Sequence, residues 1–325
     1  MAGLIENIER RTGMVGQNRM EMLLFRLPNR KQLYGMNVFK ILEILPCPHL
    51  TIMPKLHKSV IGVLNHRGTT SSVIDLSLAM EGPKTDDYRK YLLVMSEYNN
   101  SVQGFIVSKV ERIVDYSWDK IMIPPSGLGN KAYLTAVTEY QNELVEIVDV
   151  EKIFSEISPY EEIVDNKSEE FKQHIRSMLK HPDAKIIVAD DSKVAIKQTG
   201  DTVRTLGIEV IEANNGLEAL NIIKDYAAKG KLDEIELLIS DVEMPQLDGY
   251  SLSAALRKDP LLKDIYVILH TSLSGVFNES MLHRSGANSC VAKFDTEKLS
   301  NTVVKAIEEL HDGLKPSESV TKLVN

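Results

Sequence analysis

The 325 residues predict two domains of different class: an all-β barrel or pair of barrels, then an α/β domain built on a parallel sheet. Three observations predict it. From residue 20 to about 150 the chain is a series of short apolar runs, rich in Val, Ile, Leu and aromatics and separated by turn residues. From 185 to about 311, apolar runs alternate with helical patterns. The apolar runs of this second half end in acids, a hydroxyl and a lysine.

Composition narrows the class. Apolar content of 43% and charged content of 26% are those of an ordinary globular protein. A net charge of −8 argues against nonspecific nucleic-acid binding. Cys47 and Cys290 fall in different predicted domains, which suggests a reducing compartment and no disulfide framework. Glu6, Glu9, Arg10 and Arg11 interrupt the first apolar residues, so a signal peptide is not expected. No stretch approaches the ~18 consecutive apolar residues of a membrane span.

Residues 1–16 place Leu4, Ile5 and Ile8 on one helical face, a short amphipathic helix or a frayed end. Strands are expected at 20–27, 33–45, 60–65, 71–76, 91–96, 102–107, 111–116, 133–139 and 144–150. Turn residues separate them at Pro28-Asn29, Arg67-Gly68, Asn99-Asn100, 127–130 and Gln141-Asn142. Catalytic chemistry is scarce here. His49, His57 and His66 lack metal-ligand spacing, no phosphate-binding glycine loop occurs, and Trp118 reads as a core-edge residue. A barrel without catalytic residues is most simply a binding module.

Residues 158–182 form an acidic connector. Ile175, Met178 and Leu179 follow helical spacing there, and the helix should stop before Pro182.

The second half carries the chemistry. Residues 185–191 read KIIVADD, 237–250 LLISDVEMPQLDGY, 266–271 YVILHT and 289–294 SCVAKF. Between them Ala195, Thr199, Val203 and Leu206, then Leu220, Ile223 and Ala227, recur at helical spacing. Gly207, Gly230 and Gly286 stand where left-handed helix caps are wanted. Such alternation implies a parallel sheet with helices on both faces, and ligands bind outside the carboxyl ends of its strands. Asp190, Asp191, Asp241, Thr271 and Lys293 all fall at carboxyl ends. Three crowded carboxylates need a counter-charge, which a hard divalent cation such as Mg²⁺ supplies. Asp241 would keep an oxygen free to attack phosphorus. Lys293 and the cation would neutralise the transferring phosphoryl group, and Thr271 would offer it a hydroxyl. After residue 311 only fourteen residues remain, too few for a helix-turn-helix output domain, and a disordered tail is expected.

The paired acids, the DxxMPxxDG segment and the spaced Thr271 and Lys293 resemble the receiver domain of bacterial response regulators, the CheY-like family. The resemblance implies a flavodoxin-like (βα)5 fold and phosphorylation of Asp241. It implies Mg²⁺ ligands from Asp190, Asp191, Asp241 and the backbone carbonyl of Glu243. It also implies an aromatic switch residue three before the lysine; this chain has Cys290 there, which reads as a small buried hydrophobe.

In the first half, 34–45 (YGMNVFKILEIL), 62–76 (GVLNHRGTTSSVIDL) and 144–154 (LVEIVDVEKIF) resemble the CheW-like coupling domain of bacterial chemotaxis over about 14–157. That implies two SH3-like five-stranded barrels side by side. Carried over by position, Arg67 is the receptor-contact candidate, supported by Asn65 and Gly68. The chain departs from the family at Thr69-Thr70-Ser71-Ser72, where a more apolar stretch is usual.

The expected order is therefore an N-terminal helix or tail (1–16), a CheW-like domain (17–157), the connector (158–182), a receiver (183–311) and a tail (312–325). This is the arrangement of CheV-type coupling proteins. It implies a cytoplasmic adaptor at chemoreceptor arrays of the inner membrane, with receptor tips, the kinase CheA and CheW as partners. It implies no enzyme beyond acceptance and slow loss of its own phosphoryl group. Two alternatives stay open. One is a phosphate sink that drains CheA with little effect on coupling. The other is an aspartyl-phosphate phosphohydrolase of the haloacid dehalogenase type, which wants an Asp where this chain has Glu243.

Overall fold

In the computed structural model the described residues are 19–38, 41–98, 101–117, 120–122, 133–157, 165–271, 285–293 and 295–322. The expected helix at 1–16, the turns at Asn99-Asn100 and 127–130, Trp118 and part of the connector lie outside them. Described residues 19–157 fall in one compact unit and 165–322 in another.

The first unit contains β1 (Arg19–Arg26), β2 (Leu33–Asn37), β3 (Ile41–Pro46), β4 (Val60–His66), β5 (Thr69–Ile74), β6 (Leu92–Tyr98), β7 (Ser101–Val107), β8 (Lys109–Ser117), β9 (Leu134–Tyr140) and β10 (Glu143–Val148). Two short α-helices, α1 (Leu76–Ala79) and α2 (Val150–Ile157), and a 3-10 turn at Tyr88–Lys90 accompany them among the described residues. The strands form two five-stranded sheets, β8-β1-β2-β10-β9 and β3-β6-β7-β5-β4.

The run at 33–45, expected as one strand, is two strands in different sheets, because β2 pairs with β1 and β10 while β3 pairs with β6. The burial pattern changes with it: β2 is buried along nearly its whole length, and β3 alternates half-buried with exposed residues. Each sheet wraps a small core of its own, Met22, Leu24 and Val145 in one and Val73, Leu93 and Ile106 in the other. A third cluster takes Leu23, Phe25 and Tyr34 from the first sheet, Ile74, Val94 and Phe105 from the second, and Val150 and Ile153 from α2. Strand β1 therefore buries both of its faces. That is why MLLF shows no apolar–polar alternation.

The second unit opens with α3 (Glu169–Met178), capped by the Ser168 hydroxyl, which accepts the Phe171 N–H at 3.2 Å. Ile175 and Met178 of this helix join the core on one face of the sheet that follows. Then come β11 (Lys185–Ala189), α4 (Lys193–Arg204), β12 (Glu209–Ala213), α5 (Gly216–Ala228), β13 (Ile235–Asp241), α6 (Gly249–Lys258), β14 (Tyr266–Thr271), β15 (Ser289–Ala292), α7 (Thr296–His311) and α8 (Pro316–Lys322). The strands pair in parallel in the order β12-β11-β13-β14-β15. Apolar clusters cover both faces, as an all-parallel sheet requires. Ser192, Asn215, Asp248 and Asp295 cap the helices α4, α5, α6 and α7 with side-chain oxygens. Gly207, Gly230 and Gly286 all take the left-handed conformation.

The expected disordered tail is, in its described part, the helix α8. Pro316 stands at its first position, where a missing N–H costs nothing. The Ser317 hydroxyl donates to Asp264 Oδ1 at 2.5 Å, and Asn288 Nδ2 donates to the Pro316 carbonyl at 2.9 Å.

Candidate functional site

Asp190 follows β11, Asp241 closes β13, Thr271 closes β14 and Lys293 follows β15. Parallel pairing brings these ends to one edge of the sheet. Carboxylate oxygens of Asp190, Asp191 and Asp241 lie within 4.8 Å of one another. Lys293 Nζ stands 2.8 Å from Asp190 Oδ2 and 3.0 Å from Asp241 Oδ2. Backbone donors fix the other oxygens: the Ser192 N–H donates to Asp190 Oδ1 at 2.9 Å, and the Val242 N–H to Asp241 Oδ1 at 2.7 Å. The Lys293 N–H donates to the Thr271 carbonyl at 2.7 Å, which sets the lysine beside the buried threonine. Asp190, Asp241 and Lys293 are buried, and Asp191 is half-buried.

Burial pushes the Asp241 carboxyl well above the ordinary carboxylate range. Lys293 pulls it back, while Asp190, Asp191 and Glu243 push it up again. Three acids around one lysine leave a net negative charge out of water. A hard divalent cation fits this all-oxygen donor set.

Two supporting residues carry weaker sequence signals. A Cβ on Gly249 would meet the Asp241 carbonyl oxygen at 2.1 Å, so the chain can close behind Asp241 only with glycine there. The Asp-Gly pair at 248–249 is the trace of this. His270 is the register partner of Asp241 and is buried, with Nδ1 3.3 Å from Thr199 Oγ1. Its signal is a polar residue inside the run YVILHT. Cys290 pairs with Leu269 and packs against the apolar cluster that includes Tyr250. Burial pushes its thiol up to about 11.

The other candidates lie in the first unit, on the β4–β5 hairpin. Arg67 (φ 51°) and Gly68 (φ 88°) form a left-handed two-residue turn. Asn65 Oδ1 accepts the Gly68 N–H at 2.9 Å, so its side chain holds the turn. The Arg67 side chain is 76% exposed, and its Nη2 donates to Glu43 Oε2 on β3 at 3.0 Å. His66 Nε2 contacts the other oxygen of Glu43. The His66 contact, with Arg67 beside it, holds the Glu43 carboxyl below the usual carboxylate range.

Residues 21–158 match the CheW-like domain family, and residues 186–304 match the response regulator receiver domain family. Chemotaxis protein CheV3 of Helicobacter pylori (strain ATCC 700392 / 26695) is 29% identical over 286 residues, covering 85% of this chain and 89% of that protein. Chemotaxis protein CheV1 of the same organism is 27% identical over 327 residues, 95% and 99% of the two chains. The chain joins a CheW-like domain to a response regulator receiver domain, and over most of its length it is similar to CheV proteins. A solved structure, the scaffolding protein TtCheW from Thermoanaerobacter tengcongensis, aligns with 44% of this chain and 97% of its own, at 21% identity and a TM-score of 0.40. Among the described residues no helix is long and apolar enough to cross a membrane.

Proposed function

We propose that this CheV-type chain is a cytoplasmic chemotaxis adaptor. Its CheW-like domain couples chemoreceptor tips to the histidine kinase CheA, alongside CheW, and its receiver adjusts that coupling when Asp241 is phosphorylated. The observation that carries the reading is the three-carboxylate group with Lys293 set between Asp190 and Asp241.

The chemistry follows from those positions. An Asp241 carboxylate oxygen attacks the phosphorus of a phosphohistidine. The new O–P bond forms as the P–N bond breaks, and the leaving imidazole takes a proton from water. The Val242 N–H steadies one Asp241 oxygen during the approach. Lys293 places positive charge where the phosphoryl oxygens gain negative charge, and the Thr271 hydroxyl donates to one of them. Asp190, Asp191, Asp241 and the backbone carbonyl of Glu243 would hold Mg²⁺, which when bound supplies the remaining charge neutralisation. The product adds roughly −1.5 to −2 charges at this edge of the sheet and biases the receiver between two packings. Loss of that phosphoryl group to water is the only turnover the chain performs. The exposed Arg67 turn is the receptor-facing surface.

The test compares CheA activity in receptor arrays assembled with wild type or Asp241→Asn, together with phosphoryl transfer in the presence and absence of EDTA. Asp241→Asn and EDTA should each abolish labelling, and kinase activity should differ between the two arrays. Persistent labelling of Asp241→Asn would overturn the acceptor. Equal kinase activity alongside fast transfer to wild type would overturn the regulated adaptor in favour of a phosphate sink.

A further inference from the structure

Glu236 lies five residues before Asp241 on β13, at the end of the strand away from the acid cluster. It is 0% exposed. It is also the extra residue of a bulge, since β11 pairs Lys185 with Ile235 and then Ile186 with Leu237. A bulge leaves its extra residue out of the ladder and re-aims the side chain. Here the side chain meets the connector. The Lys180 N–H donates to Glu236 Oε2 at 3.0 Å, and Lys180 Nζ reaches the Glu236 main-chain carbonyl at 3.4 Å. Glu236 Oε1 has no hydrogen-bond partner among the described residues. Lys180 comes directly after Leu179, the C-cap of α3. The same helix is pinned by Ile175 and Met178 in the core and by Arg176 Nε, which donates to the Gly207 carbonyl at 3.0 Å.

An ionised carboxylate at 0% exposure with a single donor among the described residues is costly to bury, and the protonated form is far less so. Burial accordingly pushes the Glu236 carboxyl up, against the pull of Lys180. Burial pushes the Lys180 ammonium down, against the pull of Glu236 and Asp264. Of the other titratable groups nearby, His181 Nδ1 accepts the Asp183 N–H on the connector, and Lys231 pairs with Glu234 just before β13. Lys185 of β11 pairs with Glu209, and the Tyr266 hydroxyl of β14 donates to Glu309 of α7. Asp264 is held by Ser317 with Lys263 and Lys315 beside it, and Arg257 of α6 donates to the carbonyls of Gly286, Lys263 and Ile265.

We propose that Glu236 is a pH-dependent latch on the connector: its uncharged carboxyl holds α3 against the base of the receiver sheet, and its ionisation loosens that helix. When α3 and Lys180 lift away, Glu236 meets water and ionises at the ordinary value of about 4.3. Docking is therefore complete below that pH. It weakens as pH rises, until the buried carboxyl ionises as well. One proton is involved, so the opening constant grows by at most about tenfold per pH unit. Lys180 acts in the opposite sense at alkaline pH, where docking strengthens toward the ordinary lysine value. Strand β13 thus carries the phosphoacceptor at one end and the attachment of the connector at the other.

Hydrogen exchange on the full chain from pH 4.5 to 8, corrected for intrinsic rates, tests this. The readout is the protection of α3 relative to α5 in wild type, Glu236→Gln and Lys180→Met. In wild type the α3 opening constant should climb with pH over part of the range. Glu236→Gln should be flat and protected throughout. Lys180→Met, having lost the counter-charge, should carry the climb on to higher pH before it levels off. PH-independent protection in wild type overturns the latch, as does a wild-type slope in Glu236→Gln. If Glu236→Gln does not fold, Lys180→Met decides by direction, and a climb that levels off at lower pH than in wild type overturns the proposal.

Discussion

Lys293 and Asp190 form an ion pair almost wholly out of water: Nζ lies 2.8 Å from Oδ2, and each side chain is 2% exposed. Asp241 shares the same ammonium at 3.0 Å. One cation therefore compensates two buried acids with a third beside them, and the metal-free receiver holds excess negative charge.

Removing that cation should be expensive. Lys293→Met is expected to destabilise the receiver by about 3–5 kcal/mol at neutral pH, because two buried carboxylates lose their partner. Asp241→Asn should do the reverse in metal-free protein. The Asp241 carboxyl is raised on folding, chiefly by burial. Its contribution to stability is thus full below the ordinary carboxylate value and is lost as pH rises through the folded value. Asp241→Asn should melt above wild type at pH 7.5 in EDTA, and the gap should close toward pH 4. Mg²⁺ at ten times its Kd should raise wild-type stability by about 1.4 kcal/mol, and Asp241→Asn by less. Thermal melts across pH, with and without Mg²⁺, check all three. A gap that widened toward acid would sink the electrostatic account.

Most of this site was legible because its parts stand at the ends of apolar runs, where a charged residue interrupts an obvious pattern. Asp190, Asp241, Thr271 and Lys293 each mark a strand end in that way. Strand β12 was harder, since EVIEA mixes glutamates into five residues and leaves no apolar run. Glu236 was invisible for the opposite reason. One acid between Ile235 and Leu237 looks like ordinary alternation, and only the register step beside Lys185 reveals the bulge. The division of 33–45 between two sheets, and the pairing of Arg67 with Glu43, depend on contacts distant in sequence that no local pattern encodes.

The connector helix supplies the second prediction. Ile175 is fully buried and Met178 nearly so, both in the core cluster that includes Val203, Leu206 and Ile307. Each such side chain is worth about 1.5–3 kcal/mol when buried. A receiver fragment cut at 183–311 lacks both, and also lacks α8. It should be less stable than a 165–322 fragment by on the order of 3–5 kcal/mol, a large share of the ~5–15 kcal/mol that holds a typical domain. Urea unfolding of the two fragments measures this directly. Coincident midpoints with equal slopes would mean that α3 contributes nothing to the receiver core.

The last prediction concerns the hairpin of the CheW-like domain. Arg67 sits in the left-handed region at φ 51°, is largely exposed, and lies across from Glu43 on β3. Arginine is enriched among interface hot spots because its long stem and planar fork bring apolar area and directed donors together. If the turn meets a receptor, losing Arg67 should weaken binding by about 2 kcal/mol, roughly thirtyfold in Kd. The choice of variant matters. Arg67→Glu would set a second carboxylate against Glu43 and confuse binding with repulsion between the hairpin and β3. Arg67→Asn is cleaner, because Asn tolerates positive φ and Asn-Gly is a favoured sequence for this turn. Arg67→Asn should therefore keep or slightly raise the melting temperature of the domain while losing receptor affinity. A solvated charge with no receptor contact predicts only a long-range electrostatic loss, which vanishes in high salt. Receptor affinity of wild type and Arg67→Asn at low and high salt, with melts alongside, separates the two accounts. Wild-type affinity in Arg67→Asn at high salt would remove Arg67 from the receptor surface, and a large fall in melting temperature would make it a structural residue of the hairpin.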